Sequence, residues 1–195
     1  GYRRKNIIRF WLSSRNYPAM EGLKQEALDA WLQTQPTKGC QSFGTYSFRI
    51  HRRRLYLIDE KWLHALVGFL SVSENFNTAQ IKAFEGVGKF SISKNDNKAG
   101  LRDGEYQLGR CDRRQRVAVN GMHKSVHKIM QELEVPSWLR DYYPVIYSGS
   151  EVAAIGRVVA DDFREIGGNK IDWVFYSLNK TSVSYTHLRA HETVV

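Results

Sequence analysis

Apolar residues recur at helical spacing from the start of the chain. Ile7, Ile8, Phe10, Trp11 and Leu12 lie among basic neighbours from about Arg4 to Ser14, which predicts an amphipathic helix. Arg15-Asn16-Tyr17-Pro18 stops it, because proline disfavours helical backbone in the residue before it. A second helix is predicted from about Met20 to Thr34, with Leu23, Ala27, Leu28, Trp31 and Leu32 on one face and Pro36, Lys38 and Gly39 ending the segment. The period then drops to two. Phe43, Tyr46, Phe48 and Ile50 form one strand, His51-Arg52-Arg53-Arg54 a turn, and Leu55-Tyr56-Leu57-Ile58 the return strand of a β-hairpin. The stretch from there to about Asn77 shows no clean period and is expected to connect two domains.

Beyond it the pattern is mostly strand. Phe90-Ser91-Ile92-Ser93 precedes a polar turn at Lys94-Asn95-Asp96-Asn97, and Tyr106-Gln107-Leu108 sits between Asp103-Gly104 and Gly109. One helix is predicted from about Lys124 to Leu133, ending on Pro136. Strands at Val145–Tyr147, Val152–Ile155 and Trp173–Tyr176 follow, with Ser148-Gly149-Ser150 as a tight hairpin turn. The fold class is α+β: a small helical domain with a β-hairpin (1–60), a linker (61–80), and a mostly-β C-terminal domain carrying one basic helix (81–180). Residues 181–195 have no amphipathic period. Ser184 to Thr193 resembles translated adapter sequence, so this tail is expected to be non-native, and His187 and His191 carry no weight as ligands. There is no internal repeat, and no initiator methionine, which suggests a piece of a longer protein.

Charge changes this picture more than composition does. At 195 residues, 42% hydrophobic and 25% charged, the chain is ordinary for globular domains, yet its formal charge is +9. Such an excess favours a polyanionic partner, because neutralising phosphates releases condensed counterions. Cys40 and Cys111 are far apart and form no CxxC pair, so reduced, partly buried thiols of a cytosolic protein are expected. The longest apolar stretch, Trp62 to Leu70, is too short to cross a bilayer and is broken by His64 and Gly68, so no membrane association is expected.

Candidate chemistry is as much about what is missing. Gly86-Val87-Gly88 lacks the third glycine of a dinucleotide loop, and no Walker lysine pattern occurs. Asp161 and Asp162 are adjacent, so in a strand they face opposite ways and cannot act as an acid/base pair. His123 and His127 are four apart, a spacing that could share a metal on a helix, but the glutamate of an H-E-x-x-H pattern is absent.

The basic clusters are more informative. Arg3, Arg4, Lys5, Arg9 and Arg15 crowd the first helix with no acid before Glu21; a solvated face is the plain reading, but exposed helices are normally laced with both signs. Arg52, Arg53 and Arg54 occupy a hairpin tip, where turns usually select Gly, Asn or Asp, which points to a phosphate contact. Arg110, Arg113, Arg114 and Arg116 enclose one acid, Asp112. After the Asn120-Gly121 turn, the predicted helix places Lys124, His127 and Lys128 on one face and Val126, Ile129, Met130 and Leu133 on the other. A basic strand feeding a basic helix can follow an RNA backbone by shape and charge. Trp138 reads as a core plug rather than a base-stacking platform, and Arg140 either pairs with Asp141 or faces RNA.

The run Lys128-Ile129-Met130-Gln131-Glu132-Leu133, then Val135-Pro136-Ser137-Trp138-Leu139-Arg140-Asp141 and Pro144-Val145-Ile146-Tyr147, resembles the C-terminal domain of the tRNA(Ile)-lysidine synthetase family. Ile7-Ile8-Arg9-Phe10-Trp11-Leu12 and the Phe48–Leu57 hairpin resemble the family's substrate-recognition domain. The resemblance implies a cytosolic, bacterial-type ligase that activates C2 of the wobble cytidine of a CAU-anticodon tRNA(Ile) with ATP and magnesium, after which free lysine attacks. It also implies that this chain holds the tRNA-gripping domains, since the family's serine-glycine-glycine-x-aspartate-serine loop is absent here. No catalytic, metal or cofactor residue is expected in the piece, and a homodimer is left open. Ser125 and His127 stand where the family commonly carries further basic residues, and His127 adds charge mainly when protonated. Two other readings remain: a non-catalytic RNA-binding module of another tRNA enzyme, as in the phenylalanyl-tRNA synthetase β subunit, and a basic protein-interaction domain meeting acidic partners.

Overall fold

The computed structural model describes residues 2–34, 38–69, 74–78, 88–94, 97–110, 112, 114–175 and 182–184, with 2–4, 66–69, 74–76, 88–89, 174–175 and 182–184 described as backbone only. The chain divides into two compact units, residues 1–61 with 180–195, and residues 62–179.

In the first unit, helices α1 (Tyr2–Ser13) and α2 (Gly22–Gln33) precede strands β1 (Gly39–Ser42), β2 (Tyr46–His51) and β3 (Arg54–Asp59). α1 buries Ile8, Trp11 and Leu12, the i, i+3, i+4 stripe of its pattern, and leaves Phe10 exposed. α2 is rotated from the predicted face. It buries Gln25, Leu28 and Leu32, with Leu23 83% exposed. The predicted hairpin is present: β2 and β3 pair with Phe48 opposite Leu57 and Ile50 opposite Leu55, all four buried. Phe43 lies before the strand rather than in it, and β1, for which the sequence pattern gave no signal, adds to β2. The short strand Ser182–Ser184 pairs with Arg54–Tyr56 of β3, so three residues of the expected tail take part in this sheet. Trp11, Phe43, Tyr46 and Phe48 meet in tilted and edge-on ring contacts at the centre.

Helix α3 (Glu60–Phe69) and strand β4 (Glu74–Asn77) occupy the stretch expected to be a linker. Trp62 and Leu63 pack on the second unit's core, which explains why a stretch without clean periodicity is nonetheless helical. Then come β5 (Gly88–Lys94), β6 (Ala99–Leu101), β7 (Glu105–Gly109), β8 (Arg116–Val119), β9 (Met122–Ser125) and α4 (Val126–Glu132). A 3-10 turn spans Ser137–Tyr142, followed by β10 (Val145–Ser148), β11 (Glu151–Ile155), β12 (Val158–Val159), a 3-10 turn at Asp161–Phe163, β13 (Arg164–Ile166) and β14 (Asn169–Phe175).

One sheet runs β12-β11-β10-β7-β4, a second β13-β6-β14-β5, and β8 with β9 forms a separate hairpin, every pairing antiparallel. Leu101, Leu108, Val145, Ile146 and Ile171 of the two sheets belong to one buried cluster with Val126, Ile129 and Met130 of α4. The α+β class holds, with strands dominating the second unit. A polar knot ties β14 to the β6–β7 loop. Buried Asn169 donates to the Leu101 carbonyl at 2.9 Å and to Asp103 at 2.8 Å, and Lys94 and Thr78 also donate to Asp103.

Candidate nucleic-acid interface

The Asn120-Gly121 turn is real, but it joins two strands instead of opening a helix. Asn120 (φ 52°) and Gly121 (φ 72°) both take left-handed backbone, the pair of conformations a two-residue hairpin of β8 and β9 requires. Asp161 fixes the turn from outside, its two carboxylate oxygens accepting from the Asn120 and Gly121 N–H groups at 2.9 and 2.8 Å. Those N–H groups, with Arg164 3.5 Å away, hold the carboxyl below its ordinary range. Arg164 also donates to the Asn120 side chain and to the Val159 carbonyl. Asp161 therefore serves as the clamp of this turn.

The expected helix start is corrected by two residues. His123 and Lys124 lie on β9, opposite Ala118 and Val117, and α4 begins at Val126 after Ser125. Ser125 takes extended backbone and its Oγ accepts from the Lys128 N–H at 3.2 Å, a helix cap that its position directly before an apolar run could have signalled. Lys124, His127 and Lys128 consequently do not share one helix face, and His123 and His127 are not a helical i, i+4 pair. Among the described residues, no group of three or more His, Cys, Asp or Glu could hold a metal ion.

The basic residues of this region differ in what they are tied to. Lys124 forms an ion pair with Glu132 at 2.8 Å, its side chain 22% exposed, so its charge is largely offset. Arg116 is exposed and donates to the His123 carbonyl across the hairpin at 3.0 Å, which steadies its position without cancelling its charge. Arg114 is exposed, its backbone N–H bonded to Asp112 Oδ1. Arg110 is exposed, with its carbonyl accepting from Tyr147 OH at 2.6 Å. Lys128 is exposed on the first turn of α4. Arg113 lies outside the described residues.

His127 and Arg140 come together, with Arg140 Nη1 2.9 Å from His127 Nε2. Arginine can only donate, so Nε2 is the acceptor and the imidazole in this contact is neutral. Arg140 Nε also donates to the Val135 carbonyl at 3.0 Å. The guanidinium thus links the 3-10 turn to the first turn of α4 and to Val135 beyond its end, a role that neither sequence option for Arg140 included. Trp138 packs against the core, in line with the plug reading.

In the first unit, Lys5 is paired with Asp29 of α2 at 3.6 Å, a partner the sequence could not reveal because the two helices meet only in the fold. Arg3 and Arg4 are described by their backbone alone, in the first turn of α1. Arg52 (φ 48°) and Arg53 (φ 59°) are the two central residues of the β2–β3 turn, both left-handed and both exposed, with exposed Arg54 opening β3. Neither is glycine or asparagine, so each carries a conformational cost of ~1 kcal/mol or more. Cys40 is exposed, contrary to the partly buried thiol expected, and Cys111 lies outside the described residues.

One cluster had no sequence signal. A cleft of about 440 Å³ has Val119, Ile129 and Val159 on its walls and Lys124, Arg157 and Arg164 around it. Exposed Arg157 follows Gly156 in the β11–β12 turn, far in sequence from Lys124, while Arg164 opens β13.

Residues 106–175, the segment from β7 to β14, match the model of the TilS substrate C-terminal domain. The resemblance to the tRNA(Ile)-lysidine synthetase family is thereby shown. The chain is 25% identical over 183 residues to tRNA(Ile)-lysidine synthase of Coxiella burnetii (strain RSA 493 / Nine Mile phase I), covering 88% of this chain and 39% of that protein. It is 26% identical to the tRNA(Ile)-lysidine synthase of Escherichia coli O157:H7, covering 89% and 41%, and 24% identical to that of Serratia proteamaculans (strain 568), covering 82% and 37%. The chain thus spans about 40% of the length of the curated relatives it matches. Among the described residues, no helix is long and apolar enough to cross a membrane.

Proposed function

We propose that this chain is the tRNA-recognition portion of a tRNA(Ile)-lysidine synthetase. The whole enzyme would ligate lysine to C2 of the wobble cytidine of a CAU-anticodon tRNA(Ile) with ATP, in the cytoplasm where tRNA is modified. The residues present do not fit an ATP–magnesium seat. The sequence has no phosphate loop, and the described residues hold no acidic cluster suited to a cation. In this reading the nucleotide belongs to the part of the enzyme outside this chain.

One observation carries the proposal. The segment similar to the substrate C-terminal domain is the segment in which the β7–β8 connection, the β8–β9 hairpin and α4 present Arg110 and Arg114, Arg116, and Lys128 to solvent in turn. Exposed cations along such a segment position a phosphate backbone without reading bases. Arg113, Lys124, His127 and Arg140 are assigned to the same surface, the last two as a coupled pair and Lys124 with Glu132 beside it. Lys5, Arg3 and Arg4 are assigned to a second contact on the first unit. Residues 1–60 and 81–180 are taken as the two recognition domains.

The test is filter binding of the chain to tRNA(Ile) transcript from 50 to 300 mM salt. Charge reversal of Arg113, Arg114 and Lys128 to Glu should weaken binding. It should also flatten the slope of log K against log salt by about 0.7–0.9 for every phosphate released from a cation. Unchanged affinity and slope reject the surface. Tighter binding to an acidic protein than to tRNA would favour the interaction-domain reading instead.

A further inference from the structure

The cleft walled by Val119, Ile129 and Val159 differs from the rest of the basic surface in what borders it. Among the described residues five large apolar side chains are exposed, and two of them flank this cleft. Met122, 56% exposed, stands opposite Val119 in the β8–β9 pairing, and Ile166, 82% exposed, stands opposite Ala99 in the β13–β6 pairing. Val119 and Ala99 both line the cleft, and directly opposed residues of an antiparallel pair share one face. Met122 and Ile166 therefore extend the apolar wall into a patch open to solvent, of the kind that marks an interaction surface.

The charges around this patch are balanced rather than cationic. Lys124 is offset by Glu132 and Arg164 by Asp161. Arg157 is exposed and has no ion-pair partner among the described residues. Glu132 gives Oε2 to Lys124, and its other oxygen accepts no hydrogen bond among the described residues. A phosphate backbone gains little here, because one surplus charge attracts it weakly and branched aliphatic walls offer no stacking plane. A second copy of the chain fits better. The patch carries both an unpaired guanidinium and a free acceptor for one, so two copies related by a two-fold axis can satisfy each other twice.

We propose that this patch joins two copies of the chain about a two-fold axis, with Met122 and Ile166 of each set against the other's cleft and Arg157 of each paired with Glu132 of the partner subunit. The inference is independent of the RNA-binding reading and gives the pairing that the sequence left open a definite surface. Burial of the apolar side chains drives association, and the two reciprocal guanidinium–carboxylate contacts set its register.

The experiment is sedimentation equilibrium of the full chain over a wide range of concentration. The parent should dimerise, and Ile166→Asp, Arg157→Glu and Glu132→Arg should each weaken association by about tenfold or more. The Arg157→Glu and Glu132→Arg chains should recover it when mixed, because every reversed charge then faces an opposite one across the axis. A chain that had merely lost its fold would not recover on mixing. A parent that stays monomeric, a dimer indifferent to all three changes, or a mixture that fails to associate would each overturn the interface. If Arg157→Glu instead weakens tRNA binding and leaves association intact, the patch belongs to the RNA-facing surface and the dimer contact is wrong.

Discussion

Ile129 and Lys128 are neighbours on α4 and should separate what holds the interface from what the interface does. Ile129 is 1% exposed and lies in the core with Val126 and Met130, whereas Lys128 is exposed. A helix of seven residues is far too short to persist alone, so α4 exists because this face is buried. Ile129→Ala removes three carbons, at about 0.8 kcal/mol each, and leaves a cavity that the surrounding sheets cannot fully close. The expected loss is about 3 kcal/mol of unfolding free energy for the second unit, read by urea denaturation with tryptophan fluorescence. At low temperature, where the variant is still folded, its tRNA affinity and salt slope should match the parent's. Lys128→Ala should do the reverse: a change within about 0.5 kcal/mol in stability and a weaker, less salt-sensitive complex. A loss below about 1 kcal/mol for Ile129→Ala, or equal destabilisation by both, would show that α4 is not mounted by this face.

Acid should loosen the second unit through Asp103. Hydrogen bonds from Asn169, Lys94 and Thr78 hold its pKa at about 2, against about 3.9 for an unfolded aspartate. Because the folded value is depressed, the stabilisation is present above pH ~4 and is lost as pH falls toward 2. Denaturation curves from pH 5 to 2 should steepen there for the parent and lose that component in Asp103→Asn; identical pH profiles would dismiss the network. Ser125→Ala should cost about 0.5–2 kcal/mol by removing the acceptor of the Lys128 N–H, and Ser125→Asp should restore it. A neutral alanine variant would mean that the cap adds nothing to α4.

Much of this architecture could be read along the chain because local pattern and final environment agree. Ile8, Trp11 and Leu12 recur at helical spacing and are buried; Phe48, Ile50, Leu55 and Leu57 alternate and are buried. The Asn120-Gly121 and Ser148-Gly149-Ser150 turns follow from backbone preferences that act within a few residues. Leu23, expected on the apolar face of α2, is exposed while Gln25 is buried, since periodicity fixes the angular spacing of residues on a helix but not which arc meets the core.

The charge excess and the positions of the arginines were set by sequence alone, and so was the family resemblance, which needs only the order of residues. Pairing was decided by the tertiary structure. Lys5 finds Asp29, Lys124 finds Glu132, Arg140 finds His127, and Arg157 and Arg164 reach one cleft from a turn and a separate strand. Coulomb and hydrogen-bond energies depend on distances in space, which sequence separation does not encode. That is why a count of basic residues can only favour a polyanionic partner, and the folded chain distinguishes the cations presented to solvent from those already paired within the protein.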